Sequence, residues 1–148
     1  MPKKAPLLSS PDEVEYQFYD ALNHADLSAL MACWADDDEV TCVPPGGEML
    51  RGLAAIQALF AELFLRGPVA VSIDQVHKAS GLSHAVHTLV EGVNVTTDEG
   101  QATADVIATN VYVKTMDGWR LQAHHASPGR LRVVDPAAST EIRHHTLH

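Results

Sequence analysis

The 148-residue chain is 46% hydrophobic and 20% charged, which is the composition of an ordinary globular domain. Its formal net charge is −9 at pH 7 and its few lysines and arginines form no cluster, which argues against a nucleic-acid partner. No apolar stretch approaches the roughly 18 residues that cross a bilayer, and the first residues lack the apolar segment of a signal peptide. We therefore expect a cytoplasmic protein with no membrane partner.

Two helices are predicted near the beginning of the chain. Ser9 or Ser10 is suited to cap the first helix and Pro11 to its first turn, and apolar side chains then recur at helical spacing as far as Leu22. Asp26 is suited to cap a short second helix. The acidic run at 36–39 ends that helix, and we interpret it as a solvated loop, with a cation site as the alternative.

The rest of the chain reads as one further helix and a series of strands. A short strand at 40–43 is closed by a Pro-Gly turn, and an amphipathic helix follows from about Ile56 to Phe64. Long strands are then predicted at 69–79, with a shift of phase near Gln75, and at 82–97, 102–115 and 119–127. This order predicts an α+β fold with about three N-terminal helices packed on a strongly curved, mainly antiparallel sheet.

We expect one domain over residues 1–128 and a C-terminal extension over 129–148. Within the extension, Leu131, Val133 and Val134 are suited to one more edge strand or to a partner contact. The histidines at its end have the side chains for weak metal binding, although a solvated tail is the simpler interpretation; they are His144, His145 and His148.

Several short segments occur in a recognisable order and spacing. They are Ala25-Asp26-Leu27, Trp34-Ala35-Asp36-Asp37, Arg51-Gly52 with Ile56, Gly118-Trp119-Arg120 and His125-Ala126-Ser127. Over roughly residues 12–127 the chain thereby resembles the nuclear transport factor 2-like superfamily, with its SnoaL-like and ketosteroid isomerase-like members. The resemblance implies a cone-shaped, barrel-like domain with a cavity open at one end, and a homodimer formed through the outer sheet face.

Isomerase members of that superfamily use a carboxylate base, a tyrosine and a protonated aspartate. The resemblance places these groups at Cys42, Phe18 and Asn110 of this chain. The carboxylate and the phenol are therefore replaced, whereas Asn110 keeps an amide donor. The ordinary ketosteroid isomerase mechanism is not expected.

Strand alternation indicates which polar side chains enter the cone instead. In the last strand Leu121 and His125 fall on the more apolar side, and the resemblance turns His87 inward. We predict His125, Asn110 and His87 as catalytic residues, with histidine as general acid or base and Asn110 holding an oxyanion. The predicted walls of the pocket are Phe18, Trp34, Cys42, Val43, Phe64 and Tyr112.

Two functions remain open. One is a cofactor-independent isomerase, cyclase, dehydratase or hydrolase acting on a small apolar carbonyl compound. The other is a non-catalytic ligand-binding or dimerisation module in which His87 and His125 are simply buried histidines. Neither a cofactor nor a metal is predicted, because the zinc-type donors His87, His125 and Cys42 lie on separate elements. Cys42 is interpreted as a buried thiol rather than a nucleophile.

Both functions are compatible with a homodimer. The outward alternates of two neighbouring strands are rich in β-branched residues, which suits a self-complementary surface. They are Val86, Thr88, Val90, Thr109, Val111 and Val113.

Overall fold

A computed structural model describes residues 8–133, and its helices and strands follow the predicted order. They are α1 (Pro11–His24), α2 (Leu27–Met31), β1 (Thr41–Val43), β2 (Leu50–Arg51), α3 (Leu53–Phe64), β3 (Val71–Ser80), β4 (His84–Thr97), β5 (Gly100–Thr115) and β6 (Gly118–Val133). The six strands form one sheet in the order β2-β1-β6-β5-β4-β3. All neighbours are antiparallel except β1 and β6, which are parallel. The predicted α+β fold with a mainly antiparallel sheet is confirmed.

Helix α1 begins where its capping signals predicted. The side chain of Ser10 accepts a hydrogen bond from the backbone N–H of Glu13 at 3.2 Å, and Pro11 lies in the first turn. The helix ends at Ala25, which adopts the left-handed conformation with φ of 51°. Its buried face carries an apolar stripe and, beside it, two polar residues; the buried residues are Val14, Glu15, Phe18, Tyr19, Ala21 and Leu22.

The side chain of Asn23 fastens the end of α1 to the edge of the sheet. Its amide donates to the carbonyl of Val71 at 2.9 Å and its oxygen accepts from the N–H of Val71 at 3.0 Å. The backbone N–H of Val69 also donates to the carbonyl of Leu22 at 2.9 Å. These bonds fix the position of α1 across the sheet, and so fix where its polar side chains lie.

The core of the cone is built around the ring of Phe18. Its centroid lies 5.1 Å from that of Tyr19, 6.4 Å from Trp34, 6.1 Å from Phe60 and 5.2 Å from the imidazole of His124. The three pairs with aromatic side chains are edge-to-face, the arrangement such rings prefer. Residues from α1, α3 and the sheet therefore meet at one point inside the cone.

Three irregularities bend the strands. In β3 the pairing slips between Asp74 and His77, and Gln75 has a positive φ of 52°, which confirms the predicted shift of phase. Between β5 and β6 the register shifts once at Val111/Tyr112, so that Gln122 has no partner. A second shift lies between Ala104 and Val106, where Gly129-Arg130 stands opposite Asp105 alone.

The last strand is longer than predicted. We expected it to end at Ser127, but β6 continues through the second bulge to Val133, and Leu131 pairs with Ala104 within it. The backbone of β5 approaches so closely there that a Cβ atom on Gly129 would collide with the carbonyl oxygen of Asp105. The division at residue 128 stays a prediction, and the expected roles of Val134 and the terminal histidines lie outside the described residues.

Candidate functional site

A row of four polar side chains crosses the inner face of the sheet. His87 on β4 is the register partner of Asn110 on β5, and Asn110 is that of His124 on β6. His124 in turn pairs with Cys42 on β1. None of the four residues is more than 6% exposed. The structure therefore brings two of the three predicted catalytic residues, His87 and Asn110, together, since cross-strand partners point to the same face, and their catalytic role stays a prediction.

The predicted inward orientation of His125 is wrong. His125 is exposed, whereas His124 and Ala126 are buried. The cause is the unpaired Gln122, because one extra residue in a strand reverses the faces of all residues that follow it. Alternation counted from Leu121 is therefore correct up to the bulge and reversed beyond it.

A continuous chain of hydrogen bonds connects α1, β4, β5 and β6 inside the cone. The hydroxyl of Tyr19 donates to Glu91 Oε2 at 2.6 Å, and Asn110 Nδ2 donates to the hydroxyl of Tyr19 at 2.9 Å. Asn110 Oδ1 lies 2.5 Å from Nδ1 of His124. Since that oxygen is an acceptor, His124 carries its proton on Nδ1 and presents an unprotonated Nε2.

This chain of hydrogen bonds ends at two acceptor atoms that face each other. Nε2 of His124 lies 3.9 Å from Oε2 of Glu91. A single donor atom placed about 2.7–3.0 Å from each of them can bond to both. The arrangement therefore accepts one proton donor at this point of the cone.

Burial controls the ionisation of the three titratable groups in this chain of hydrogen bonds. Desolvation, with a smaller contribution from the charge of His125, lowers the pKa of His124 to about 4. Desolvation also raises the pKa of Glu91, although the hydrogen bond from Tyr19 works in the opposite direction. The pKa of Tyr19 is raised, first by burial and then by the neighbouring carboxylate. His124 is thus neutral at pH 7, and Glu91 is a stronger base than an exposed carboxylate.

A second buried pair lies on the same face of the sheet. Nδ1 of His87 is 2.9 Å from Oε1 of Glu15, and the imidazole packs against the ring of Tyr112 at 4.8 Å. Glu15 and Tyr19 stand one helical turn apart on α1, so the two clusters are neighbours.

The six predicted wall residues differ in their placement. Phe18, Trp34, Cys42 and Tyr112 are buried in the core, whereas Val43 and Phe64 are half-buried. Burial and the charge of Glu91 raise the pKa of the Cys42 thiol to about 12, which agrees with a buried thiol rather than a nucleophile. The indole Nε1 of Trp34 is buried and has no hydrogen-bond partner among residues 8–133.

Sequence reasoning missed four residues that form these clusters: Glu15, Tyr19, Glu91 and His124. Glu91 has the same strand parity as His87 and Leu89, so alternation alone was sufficient to place it inward. Tyr19 follows Glu15 at helical spacing beside the apolar stripe. The two isomerase positions at Phe18 and Cys42 carry neither a phenol nor a carboxylate, but residues next to them do. Tyr19 provides the phenol next to Phe18, and β4 contributes a carboxylate near Cys42.

The outer face of the sheet carries a groove of about 670 Å³. Opposite charges line it: Nη2 of Arg132 is 2.7 Å from Oδ1 of Asp105, and Asp74 lies on the same face. Val90 and Ile107 contribute apolar surface, and Ile107 is 44% exposed. The predicted outward residues of β4 and β5 are half-buried on this face, opposite the buried row. Among residues 8–133, no helix combines the length and hydrophobicity needed to cross a membrane.

Three solved structures show how this chain compares with known proteins. A protein of Thiobacillus denitrificans, described as a candidate calcium/calmodulin-dependent protein kinase type II association domain, is 32% identical. The alignment covers 84% of this chain and 99% of that one, with a TM-score of 0.76. A candidate dehydratase of the NTF2-like family from Streptomyces avermitilis is 28% identical over 79% of this chain and 91% of its own, with a TM-score of 0.70.

The CaMKII hub of S. rosetta is 25% identical, with coverage of 82% of this chain and 98% of that chain and a TM-score of 0.66. No curated protein matches the sequence. Residues 13–130, which span all of β3 to β5 and most of α1 and β6, match the SnoaL-like domain family. The chain therefore belongs to the SnoaL-like domain family and has the nuclear transport factor 2-like fold.

Proposed function

We propose that this chain binds a small carbonyl compound inside the cone and catalyses proton transfer on it, as in an isomerisation, cyclisation or dehydration. The observation that carries the proposal is the pair of acceptors, Glu91 Oε2 and His124 Nε2, that face each other at 3.9 Å. Buried groups with perturbed pKa values that converge on one point are typical of catalytic sites. Glu91 and His124 replace His125 as the proposed acid–base residues.

Glu91 is the proposed base. Its carboxylate takes a proton from the carbon next to the substrate carbonyl, and the electron pair of that C–H bond moves onto the carbonyl oxygen. The second N–H of the Asn110 amide supplies a hydrogen-bond donor for the negative charge that develops there, while Tyr19 keeps its own proton in the bond to Glu91. The proton then returns to a different atom of the substrate, or leaves with a hydroxyl group as water. Neutral His124 binds a substrate hydroxyl or relays the proton.

The side chains around this cluster favour an apolar ligand with polar groups at its ends. Phe18 covers His124 and has to rotate to admit the ligand. The buried Nε1 of Trp34 is a donor without a partner among residues 8–133, and a ligand oxygen would satisfy it. A similar protein is named as a candidate dehydratase, which belongs to the same range of reactions.

The experiment is an exchange assay in D₂O. Loss of the α-proton signals of a panel of small ketones, diketones and hydroxyketones is followed by NMR with the wild-type chain and with Glu91→Gln. Glutamine keeps the shape and can still accept from Tyr19, but it is not a base. We expect the exchange rate to fall by about 10²-fold or more, the usual contribution of a general base.

The matched control is His125→Gln, which changes the exposed neighbour of His124. It should retain the wild-type exchange rate, whereas His124→Gln should reduce it. If Glu91→Gln exchanges a bound substrate as fast as the wild-type chain does, Glu91 is not the base and the proposal fails.

A second candidate function is self-association through the outer sheet face. The groove there carries both charges and exposed apolar surface, as a self-complementary interface requires. Two similar structures are named as an association domain and a hub. Sedimentation equilibrium at micromolar concentration tests it directly: a dimer is expected, and a monomer over the whole concentration range would exclude this function.

A further inference from the structure

Three metal-binding side chains meet where the first turns of α1 cross β3 and β4. Asp12 and Glu15 are three residues apart on α1, so they share a face of the helix, and His87 reaches them from β4. One ligand atom from each residue lies within 4.8 Å of the other two. We propose that Asp12, Glu15 and His87 form a binding site for a divalent transition-metal ion, for which zinc is the best fit.

The imidazole of His87 is oriented as a metal ligand rather than as a core side chain. It is 1% exposed, and its Nδ1 is held by Glu15 at 2.9 Å. Its Nε2 makes no hydrogen bond among residues 8–133, and Oδ1 of Asp12 lies 3.9 Å from it. A ring nitrogen that makes no hydrogen bond and faces a carboxylate is a position that a cation satisfies.

One cationic side chain, Lys78, already contacts the cluster of Asp12, Glu15 and His87. The ammonium of Lys78 is 2.8 Å from Asp12 Oδ1, and Lys78 is the register partner of His87 on β3. The side chains of Lys78 and Asp12 are 42% and 64% exposed, so both can move. A divalent ion would replace this ammonium and balance the two carboxylates more completely, since Lys78 contributes only one positive charge.

The donor set decides which metal is bound. Two carboxylates and one imidazole are suitable ligands for zinc, whereas calcium and magnesium prefer all-oxygen sites. Ligand atoms around a tetrahedral zinc lie about 3.3–3.5 Å apart, from bond lengths of about 2.0–2.2 Å. Because the ion binds only one ring nitrogen, the carboxylate of Glu15 has to turn from Nδ1 toward the ion on Nε2 to close the site, and a fourth position is left for water.

The test is zinc binding by isothermal titration calorimetry, because it needs no substrate and is independent of the proposed catalysis. The three terminal histidines are first replaced by alanine, so that they contribute no binding; they are His144, His145 and His148. In this background we expect one zinc per chain. Asp12→Asn should weaken binding by about 10-fold or more, the usual cost of losing a ligand contact.

Lys78→Ala gives the most specific outcome. It removes the competing ammonium, so zinc should bind about 5- to 10-fold more tightly, whereas a purely structural ion pair predicts no such gain. Asp20→Asn is the matched control, because Oδ1 of Asp20 lies 3.4 Å from Nδ1 of His24 on the same helix, and no third metal-binding side chain joins this pair within residues 8–133. It should leave the affinity unchanged. Equal affinities for Asp12→Asn, Asp20→Asn and the unchanged background, or no gain with Lys78→Ala, would overturn the proposal.

Discussion

At the scale of single residues, the cone depends on buried polar groups that satisfy one another. Each member of the chain from His124 through Asn110 and Tyr19 to Glu91 has a partner on a different element. A buried group that loses its partner costs about 1–3 kcal/mol. These hydrogen bonds therefore fix the tautomer of His124 and the position of Glu91 through interactions that no single strand or helix provides.

The stability of the protein should depend on the protonation of His124. Its pKa falls from 6.5 to about 4 on burial, so between these values the unfolded chain binds a proton that the folded chain does not. The free energy of unfolding should therefore decrease by up to about 3 kcal/mol from this group as the pH falls from 7 to 4. Glu91, whose pKa is raised, acts in the opposite direction over part of this range, because its folded form gains a proton first.

Urea unfolding of the wild-type chain and His124→Gln at a series of pH values measures the contribution of His124. Below pH 6.5, the free energy of unfolding should decrease less steeply with falling pH in His124→Gln than in the wild-type chain. Glu91 is present in both proteins, so the difference between the two slopes reports on His124. His125→Gln should keep most of the wild-type slope, because His125 is exposed and only assists the shift of its neighbour. Parallel curves for the wild-type chain and His124→Gln would contradict the assignment.

At the scale of elements, one unpaired residue decides which face of β6 is functional. Leu121 points inward before Gln122, and His124 and Ala126 point inward after it. The inward side chains are therefore odd-numbered before the bulge and even-numbered beyond it. Without the bulge, His125 and Ser127 would face the core. The side chain of Gln122 itself matters less than the presence of a residue at that position.

Deleting Gln122 should therefore be far more damaging than changing it. The deletion places the wrong set of side chains against Asn110 and the core, and we expect a loss of about 3 kcal/mol or more in the free energy of unfolding. Gln122→Ala keeps the bulge and should change the free energy of unfolding by no more than about 0.5 kcal/mol. Urea unfolding at pH 7 compares the two, and a deletion variant as stable as the wild-type chain would show that the bulge does not determine the facing of β6.

At the scale of the whole molecule, the two sheet faces differ in composition and burial. The inner face is closed by the helices and contains the polar clusters. The outer face carries the charged and apolar groove to which we assigned the proposed self-association. Burial of such a face would bring apolar groups such as Ile107 out of water, which is the main stabilising contribution to association.

Ile107→Asp should convert the expected dimer into a monomer, because it places a further charge on an apolar part of the lining of the outer groove. The control is Leu82→Asp, which changes a 96% exposed side chain at the turn between β3 and β4 and should leave the dimer intact. Light scattering coupled to size-exclusion chromatography distinguishes the two. If Ile107→Asp remains a dimer at the same concentrations, the interface lies elsewhere.

The sequence by itself determined the order of the elements and most of their boundaries. Capping by Ser10 and Asp26 and the helical spacing of apolar residues are local signals, and they placed the N-terminal helices correctly. In β4 the family resemblance indicated the inward face, and the structure buries His87 there together with its alternates Ala85 and Leu89. Local spacing succeeds in these segments because neighbouring residues there follow one uninterrupted repeat.

Only the tertiary structure decided which polar groups share the interior. The bulge at Gln122 arises from pairing with β5, so no spacing within β6 indicates that His124 rather than His125 turns inward. The contacts of Tyr19 with Glu91 and of Glu15 with His87 each join residues 72 positions apart in the chain. Such pairs depend on how α1 crosses the sheet, and that crossing is fixed by the hydrogen bonds of Asn23 to Val71 and by packing around Phe18 rather than by any local pattern.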